Sequence, residues 1–184
     1  MVALRKAGAY SKRYARPYTR VSKKRTKNFI KASPGNKVSK FNMGPIKNFN
    51  NHKYDTVIHI INGENRIVQI RDNALEAARQ SLSRNMEIAI PNQFYFEVRA
   101  HPHHILRENK MLTGAGADRM QTGMSKAFGK TIGRAAMLKP GQEIYLIALS
   151  GEKSLHTVRL LIDSIKAKLP CKVKTVVEKI VVSK

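Results

Sequence analysis

The sequence is poor in the residues that build disulfides, zinc clusters and membrane spans. Its 184 residues include one cysteine, Cys171, and no tryptophan. A single cysteine excludes an intramolecular disulfide and a cysteine-based zinc site, and it suits a reducing compartment. No apolar run approaches the roughly 20 residues needed to cross a bilayer, and the basic N-terminus lacks the apolar stretch of a signal peptide. We therefore expect a soluble cytoplasmic protein that is not secreted and has no membrane partner.

Acidic residues are also scarce, and one end of the chain has none. The protein contains 12 Asp+Glu against 35 Lys+Arg, which gives a formal net charge of +23 at pH 7. The first acidic residue is Asp55, whereas residues 1–53 contain 15 Lys+Arg. Such a segment cannot fold alone in water. A polyanion would neutralise it; nucleic acid is the first candidate, and an anionic membrane surface is the second.

Residues 1–53 are predicted to form an extended basic arm that follows RNA. Pro17, Pro34-Gly35 and Gly44-Pro45 interrupt regular structure, with one short strand expected near 38–41. Lys and Arg would neutralise phosphates, while the interleaved Tyr and Phe side chains would stack on bases or pack into the body. A merely solvated charge run is the alternative. The arm residues that we assign to rRNA binding are Arg5, Lys6, Lys12, Arg13, Arg16, Tyr18, Arg20, Lys23, Lys24 and Arg25.

Residues 54–184 alternate strand and helix patterns and are predicted to form one globular body. The expected strands are 54–62, 66–70, 93–100, 131–139, 142–150 and 171–182. Pro140-Gly141 between two of them suggests a hairpin. Helical spacing predicts helices from Asp72 or Asn73 onward and over 152–168. This order favours an α+β fold, with one largely antiparallel sheet and two helices on one face.

The first of these helices has an apolar stripe that begins at Leu75 and a start that resembles a capping box. In such a box Asn73 and Glu76 would each bond a free backbone N–H group of the first turn. Arg79 and Arg84 lie off the stripe, so we expect them to face solvent or RNA.

The segment 99–130 is unlike the rest of the chain and permits three interpretations. Its histidines could bind a metal, but neighbouring side chains on an extended chain point to opposite faces, and only Glu108 follows at a useful spacing. Residues 123–131 end like a phosphate-binding loop, but one residue too many separates the glycines and no apolar strand precedes them. A glycine-rich basic loop that faces RNA is the third interpretation, and we prefer it. We expect no metal and no cofactor.

Several motifs together resemble one family of ribosomal proteins. HPHHILRENKMLTGAGADRMQTGMSKAFGK (101–130) closely resembles the signature segment of the archaeal and eukaryotic large-subunit protein family L-ten-e, whose bacterial counterpart is L-sixteen. The resemblance extends to ARPYTR (15–20), KFNMG (40–44), VQIRDNALEAAR (68–79) and LPCKVK (169–174). It covers most of the chain in order. The archaeal type is the closer match, because the eukaryotic type usually has a longer C-terminus.

The resemblance implies an α/β hammerhead fold and a structural part of the large ribosomal subunit with no enzymatic activity. It implies binding of large-subunit rRNA near the peptidyl transferase centre, beside tRNA, with a loop at 107–123 that faces the tRNA. Neighbouring ribosomal proteins and assembly factors would be further partners. In the body we assign rRNA binding to Arg71, Arg79, His101, His103, His104, Lys126 and Lys130. The tRNA-facing residues are Arg107, Asn109, Lys110, Met111, Gly114, Gly116 and Arg119.

Two functions of other classes stay open beside this one. A metal- or nucleotide-dependent RNA enzyme would need an acidic pair or a complete phosphate loop. A free RNA chaperone would have the same basic composition but would not sediment with the large subunit.

Overall fold

The computed structural model describes residues 7–11, 24, 26, 30, 33–50, 53–109 and 129–180. The helices are α1 (Ala7–Ser11), α2 (Ile46–Asn50), α3 (Asp72–Ala89) and α4 (Glu152–Lys166). The strands are β1 (Asn42–Met43), β2 (Thr56–Asn62), β3 (Val68–Arg71), β4 (Phe94–Val98), β5 (His104–Glu108), β6 (Lys130–Leu138), β7 (Glu143–Leu149) and β8 (Val173–Lys179).

These strands form two antiparallel sheets. One has five strands in the order β1-β4-β7-β2-β8, and the other has three in the order β3-β6-β5. The α+β class and the antiparallel pairing are confirmed. The single sheet that we expected is instead divided in two.

The predicted hairpin at Pro140-Gly141 is wrong, because β6 and β7 belong to different sheets. Residues 144–149 of β7 are all buried, and β4 and β2 pair with its two edges, so no edge is left for β6. Gly141, at φ +73°, donates its N–H to the carbonyl oxygen of Asn62 at 3.0 Å. The turn therefore carries the chain from one sheet to the other.

Helices α3 and α4 cover one face of the five-stranded sheet, as expected. Leu82 of α3 and Ile162 of α4 pack into one cluster with Ile58, Phe96 and Ile147 of the sheet. Full burial of each such side chain contributes about 1.5–3 kcal/mol.

The opposite face of this sheet has a smaller apolar cluster that includes Tyr95 and Leu146. Phe49 of α2 stacks on Tyr95 with ring centroids 4.7 Å apart. A residue of the basic segment 1–53 thus covers part of the body.

The expected capping box at the start of α3 does not form. Asp72 Oδ1 accepts the N–H of Asn73 at 2.9 Å, and Asp72 Oδ2 accepts the N–H of Lys37 at 3.2 Å. Glu76 points to Arg79 instead, because the guanidinium offers it two hydrogen bonds. Burial raises the pKa of Asp72, which is 4% exposed, against the lowering effect of these bonds.

Candidate nucleic-acid interface

The three-stranded sheet brings several predicted RNA-binding residues together. Arg71 at the end of β3 and His104 at the start of β5 both lie opposite Ala135 of β6, one on each side. Since adjacent strands are about 4.8 Å apart, these two side chains belong to one small patch of the sheet.

The N-terminal helix α1 packs on this patch through Tyr10. The Tyr10 ring contacts Leu106 and Ala135, and its hydroxyl donates to Glu108 Oε2 at 3.1 Å. Gln69 Nε2 donates to the Tyr10 carbonyl oxygen at 2.7 Å. The Arg71 guanidinium lies 5.1 Å from the Tyr10 ring centroid, within the range of a cation–π contact. Of the two roles expected for the arm's aromatic residues, Tyr10 therefore takes packing into the body.

Strands β5 and β6 pair as far as Glu108 and Lys130, and we call this strand pair the neck. Arg107 lies in β5 opposite Thr131, so its expected place in a loop over 107–123 is wrong; the apolar pair before it extends the strand. Its Nη1 donates to the Gly129 carbonyl oxygen at 3.3 Å. A Cβ on Gly129, which has φ +75°, would come within 2.5 Å of the Glu108 carbonyl carbon.

Two cations, Arg107 and Lys130, and the polar residue Asn109 lie together at one end of this neck. Lys130, which is exposed, is the first residue of β6 and lies opposite Glu108. Asn109, which is partly buried, follows directly after β5.

His101 and His103 form a second group, beside the arm residue Phe41. The Phe41 and His101 rings stack at 4.6 Å with planes 16° apart, and the His101 and His103 rings stack at 5.7 Å with planes 8° apart. Both histidines are exposed, whereas Pro102 between them is buried.

Arg79 does not face solvent, so that expectation is wrong. It is 8% exposed, and its Nε and Nη2 donate to the two carboxylate oxygens of Glu76 at 2.8 and 2.7 Å. Its Nη2 also donates to Ser39 Oγ at 3.1 Å, and its Nη1 to Met43 Sδ at 3.1 Å. Segment 39–43 folds over this part of α3 and encloses the guanidinium. Arg79 therefore joins that segment to the helix.

The Arg79 guanidinium also determines the charge of its partner. Its hydrogen bonds hold the pKa of Glu76 at about 2, well below the ordinary value, although partial burial opposes the shift. The carboxylate is consequently ionised throughout the physiological range.

Comparison with known proteins identifies the family of the chain. The family model described as Ribosomal protein L16p/L10e matches residues 16–176. The chain belongs to the L16p/L10e family. It is 39% identical to the large ribosomal subunit protein uL16 of Hyperthermus butylicus, over 92% of each chain. It is 38% identical to the uL16 protein of Archaeoglobus fulgidus, over 95% of this chain and 94% of the relative.

Membership of the L16p/L10e family makes the chain a large-subunit ribosomal protein of archaeal type. It acts on the cytoplasmic ribosome in translation and is not an enzyme, so the RNA-enzyme alternative is excluded. Among the described residues no helix is long and apolar enough to span a membrane. Within the same residues no group of three or more His, Cys, Asp or Glu is placed to hold a metal ion.

Many of the predicted contacts of this L16p/L10e protein lie outside the described residues. In the arm these are Arg5, Lys6, Lys12, Arg13, Arg16, Tyr18, Arg20, Lys23 and Arg25. In the central segment they are Lys110, Met111, Gly114, Gly116, Arg119 and Lys126. Lys24 is described and exposed.

Two residues that contribute to the candidate interface were not predicted from the sequence. Arg134 of β6 donates from Nε to the Pro34 carbonyl oxygen at 2.7 Å and from Nη2 to Ser33 Oγ at 2.9 Å, which attaches the arm to the small sheet. Phe41 supports the two histidines from 60 residues upstream, a contact that no local pattern signals. For Arg134, the only available signal was a cation within an otherwise apolar strand.

Cys171 has a structural role. It packs against the main core, and burial raises the pKa of its thiol to about 11. A thiol with so high a pKa is unreactive at neutral pH.

Proposed function

We propose that this L16p/L10e protein binds large-subunit rRNA near the peptidyl transferase centre and helps to position tRNA. The observation that carries the proposal is the charge distribution: 15 cations and no acid in residues 1–53. Family membership supports RNA as the neutralising partner, because a ribosomal protein associates with the large subunit and its rRNA.

The described parts of the arm support an RNA path that starts from a fixed point on the body. Tyr10 is anchored on the small sheet, Ile30 and Val38 are 1% and 4% exposed, and Arg134 binds residues 33–34. These anchors are apolar contacts and hydrogen bonds. The anchor at Tyr10 lies beside Arg71, so a cation of the body is next to the point where the arm is attached.

Binding to large-subunit rRNA over a salt series tests the arm. Replacing Arg13, Arg16 and Arg20 by Gln should lower the slope of log K against log salt by about 0.7–0.9 for each phosphate that the arm no longer neutralises. The matched control replaces three exposed cations of the body, Arg159, Lys166 and Lys168, and should change the slope less. An arm variant with the wild-type slope would contradict the assignment.

The tRNA role rests on the neck. Arg107 donates a hydrogen bond to the Gly129 carbonyl oxygen, which brings together the two points of the small sheet that segment 110–128 connects. Deleting residues 111–118 should leave rRNA docking intact and weaken tRNA binding and translation. A Gly-Ser replacement of equal length separates the effect of the side chains from the effect of the segment's length. Normal translation by the deletion variant would refute the role.

Sedimentation discriminates a free RNA chaperone from a ribosomal constituent. The chain should remain on large subunits after a high-salt wash, whereas a chaperone would be released. We also propose contacts with neighbouring ribosomal proteins and assembly factors, which chemical cross-linking of purified particles would reveal.

A further inference from the structure

We propose that Phe41, His101 and His103 form a stacking platform on which an unpaired rRNA nucleobase rests. The inference builds on the proposed rRNA binding and specifies its mode at one site: contact with a base face instead of a phosphate. The base would lie against the exposed ring of His103.

The ring geometry is that of a stack. His101 takes part in two near-parallel contacts, with Phe41 at 4.6 Å and with His103 at 5.7 Å. Offset parallel rings at these distances attract one another as aromatic pairs do. Every nucleobase has a flat π-face, so such a stack can accept a base of any identity.

The backbone fixes the rings before any RNA arrives. The His103 N–H donates to the His101 carbonyl oxygen at 3.0 Å, which closes a tight turn around buried Pro102. The Val98 N–H donates to the Phe41 carbonyl oxygen at 2.8 Å, which fixes the backbone that carries the supporting ring. Stacking a base here would order few additional side chains, so little conformational entropy would be lost.

The surroundings suit a single-stranded segment. Arg99, His101 and His103 alternate with buried residues and point outward together. Lys40, directly before Phe41, is exposed and can neutralise the phosphate of the stacked nucleotide. Aromatic rings beside a cation are the usual composition of surfaces that bind unpaired RNA.

The same geometry disfavours a metal site. Parallel stacked imidazoles present their ring nitrogens side by side, whereas metal ligands must point toward a common centre. Within the described residues no cluster of three metal-binding side chains includes these histidines.

Three variants at one position separate the possible contacts. The full-length protein with His103→Ala, His103→Phe or His103→Lys is titrated with large-subunit rRNA over a salt series. His156→Ala, at an exposed histidine of α4, is the matched control. Thermal unfolding of each variant shows that the fold is intact.

A stacking platform predicts that His103→Ala weakens binding roughly fivefold to 100-fold with an unchanged salt slope. His103→Phe and the control should bind like the wild type, and His103→Lys should be weak. The opposite pattern, in which Lys restores binding and Phe does not, would assign the site to phosphate and overturn the proposal. If His103→Ala binds large-subunit rRNA with wild-type affinity, the proposal is also overturned, and the stacked rings would instead contact a neighbouring protein. Failure of the wild-type chain itself to bind rRNA would refute the broader function as well.

Discussion

Replacing Arg79 by methionine should destabilise the protein by about 3 kcal/mol. Breaking a buried ion pair by removing one partner costs about 3–5 kcal/mol, because the other charge is left without compensation. The lower end applies here, since Glu76 keeps hydrogen bonds from Gln80 at 2.9 Å and Ser39 at 3.0 Å. The pKa agrees in direction: the carboxyl is held at about 2 in the folded protein, and the hydrogen bonds from Arg79 are the largest cause of this lowering.

The same loss should depend on pH in a defined direction. A carboxyl whose pKa is lowered in the folded state contributes stability above its unfolded pKa and loses it as pH falls through the folded value. The difference in unfolding free energy between the wild type and Arg79→Met should therefore have its largest value at pH 7. It should shrink between about pH 4.5 and about pH 2, where Glu76 becomes protonated in both states.

Urea unfolding followed by circular dichroism at pH 7 and pH 3 measures both effects. Arg84→Met is the matched control, because Arg84 is exposed on the same helix and should change stability by less than about 0.5 kcal/mol. Equal stability of the two variants at pH 7 would refute the burial argument. A difference in unfolding free energy that is as large at pH 3 as at pH 7 would refute the linkage to Glu76.

Two further substitutions test the contacts at the end of the β5–β6 pair and between the two sheets. Gly129→Ala should lower the unfolding free energy by about 1–3 kcal/mol and speed amide exchange in β5, because Gly129 has a positive φ and an added Cβ would lie 2.5 Å from the Glu108 carbonyl carbon. Gly133→Ala is the control and should cost less, because a Cβ there meets open space. Asn62→Ala should lower the unfolding free energy by about 2 kcal/mol, measured by thermal unfolding. The buried Asn62 side chain donates to the Lys139 carbonyl oxygen at 3.1 Å and accepts the Glu64 N–H at 3.1 Å, at the place where the two sheets meet. Equal melting of Gly129→Ala and Gly133→Ala, or wild-type melting of Asn62→Ala, would contradict these roles.

Most elements of the body could be predicted from the periodic spacing of their apolar residues, but strand β5 was missed. The stripe that begins at Leu75 predicted α3, and alternation predicted β2, β4 and β8 close to their observed bounds. The pairing of strands could not be predicted in the same way. Alternation indicates which side chains of a strand are buried, but it does not indicate which other strand pairs with it. The sequence therefore suggested a hairpin between β6 and β7, although these strands belong to separate sheets.

The candidate site was predictable only in part for a related reason. Composition located the basic segment, and motif resemblance located the histidines and the central segment. Arg79 was misplaced because it lies at the border of the apolar stripe, where a partner distant in sequence decides burial. Segment 39–43 is that partner, and it also carries Phe41 to His101. One long-range contact thus buries an arginine on α3 and supports a ring stack on the surface.

Half of the acidic residues of the chain form ion pairs within the body. Six of the 12 pair with an arginine or lysine of residues 54–184: Glu64, Glu76, Glu97, Glu143, Glu152 and Asp163. At most six remain for the 15 cations of residues 1–53, so the protein cannot neutralise its own arm. Apolar packing of Tyr10 and Val38 and the hydrogen bonds of Arg134 attach the arm to the body, and these contacts should tolerate salt. Raising the salt concentration should therefore release RNA from the arm before it detaches the arm from the body.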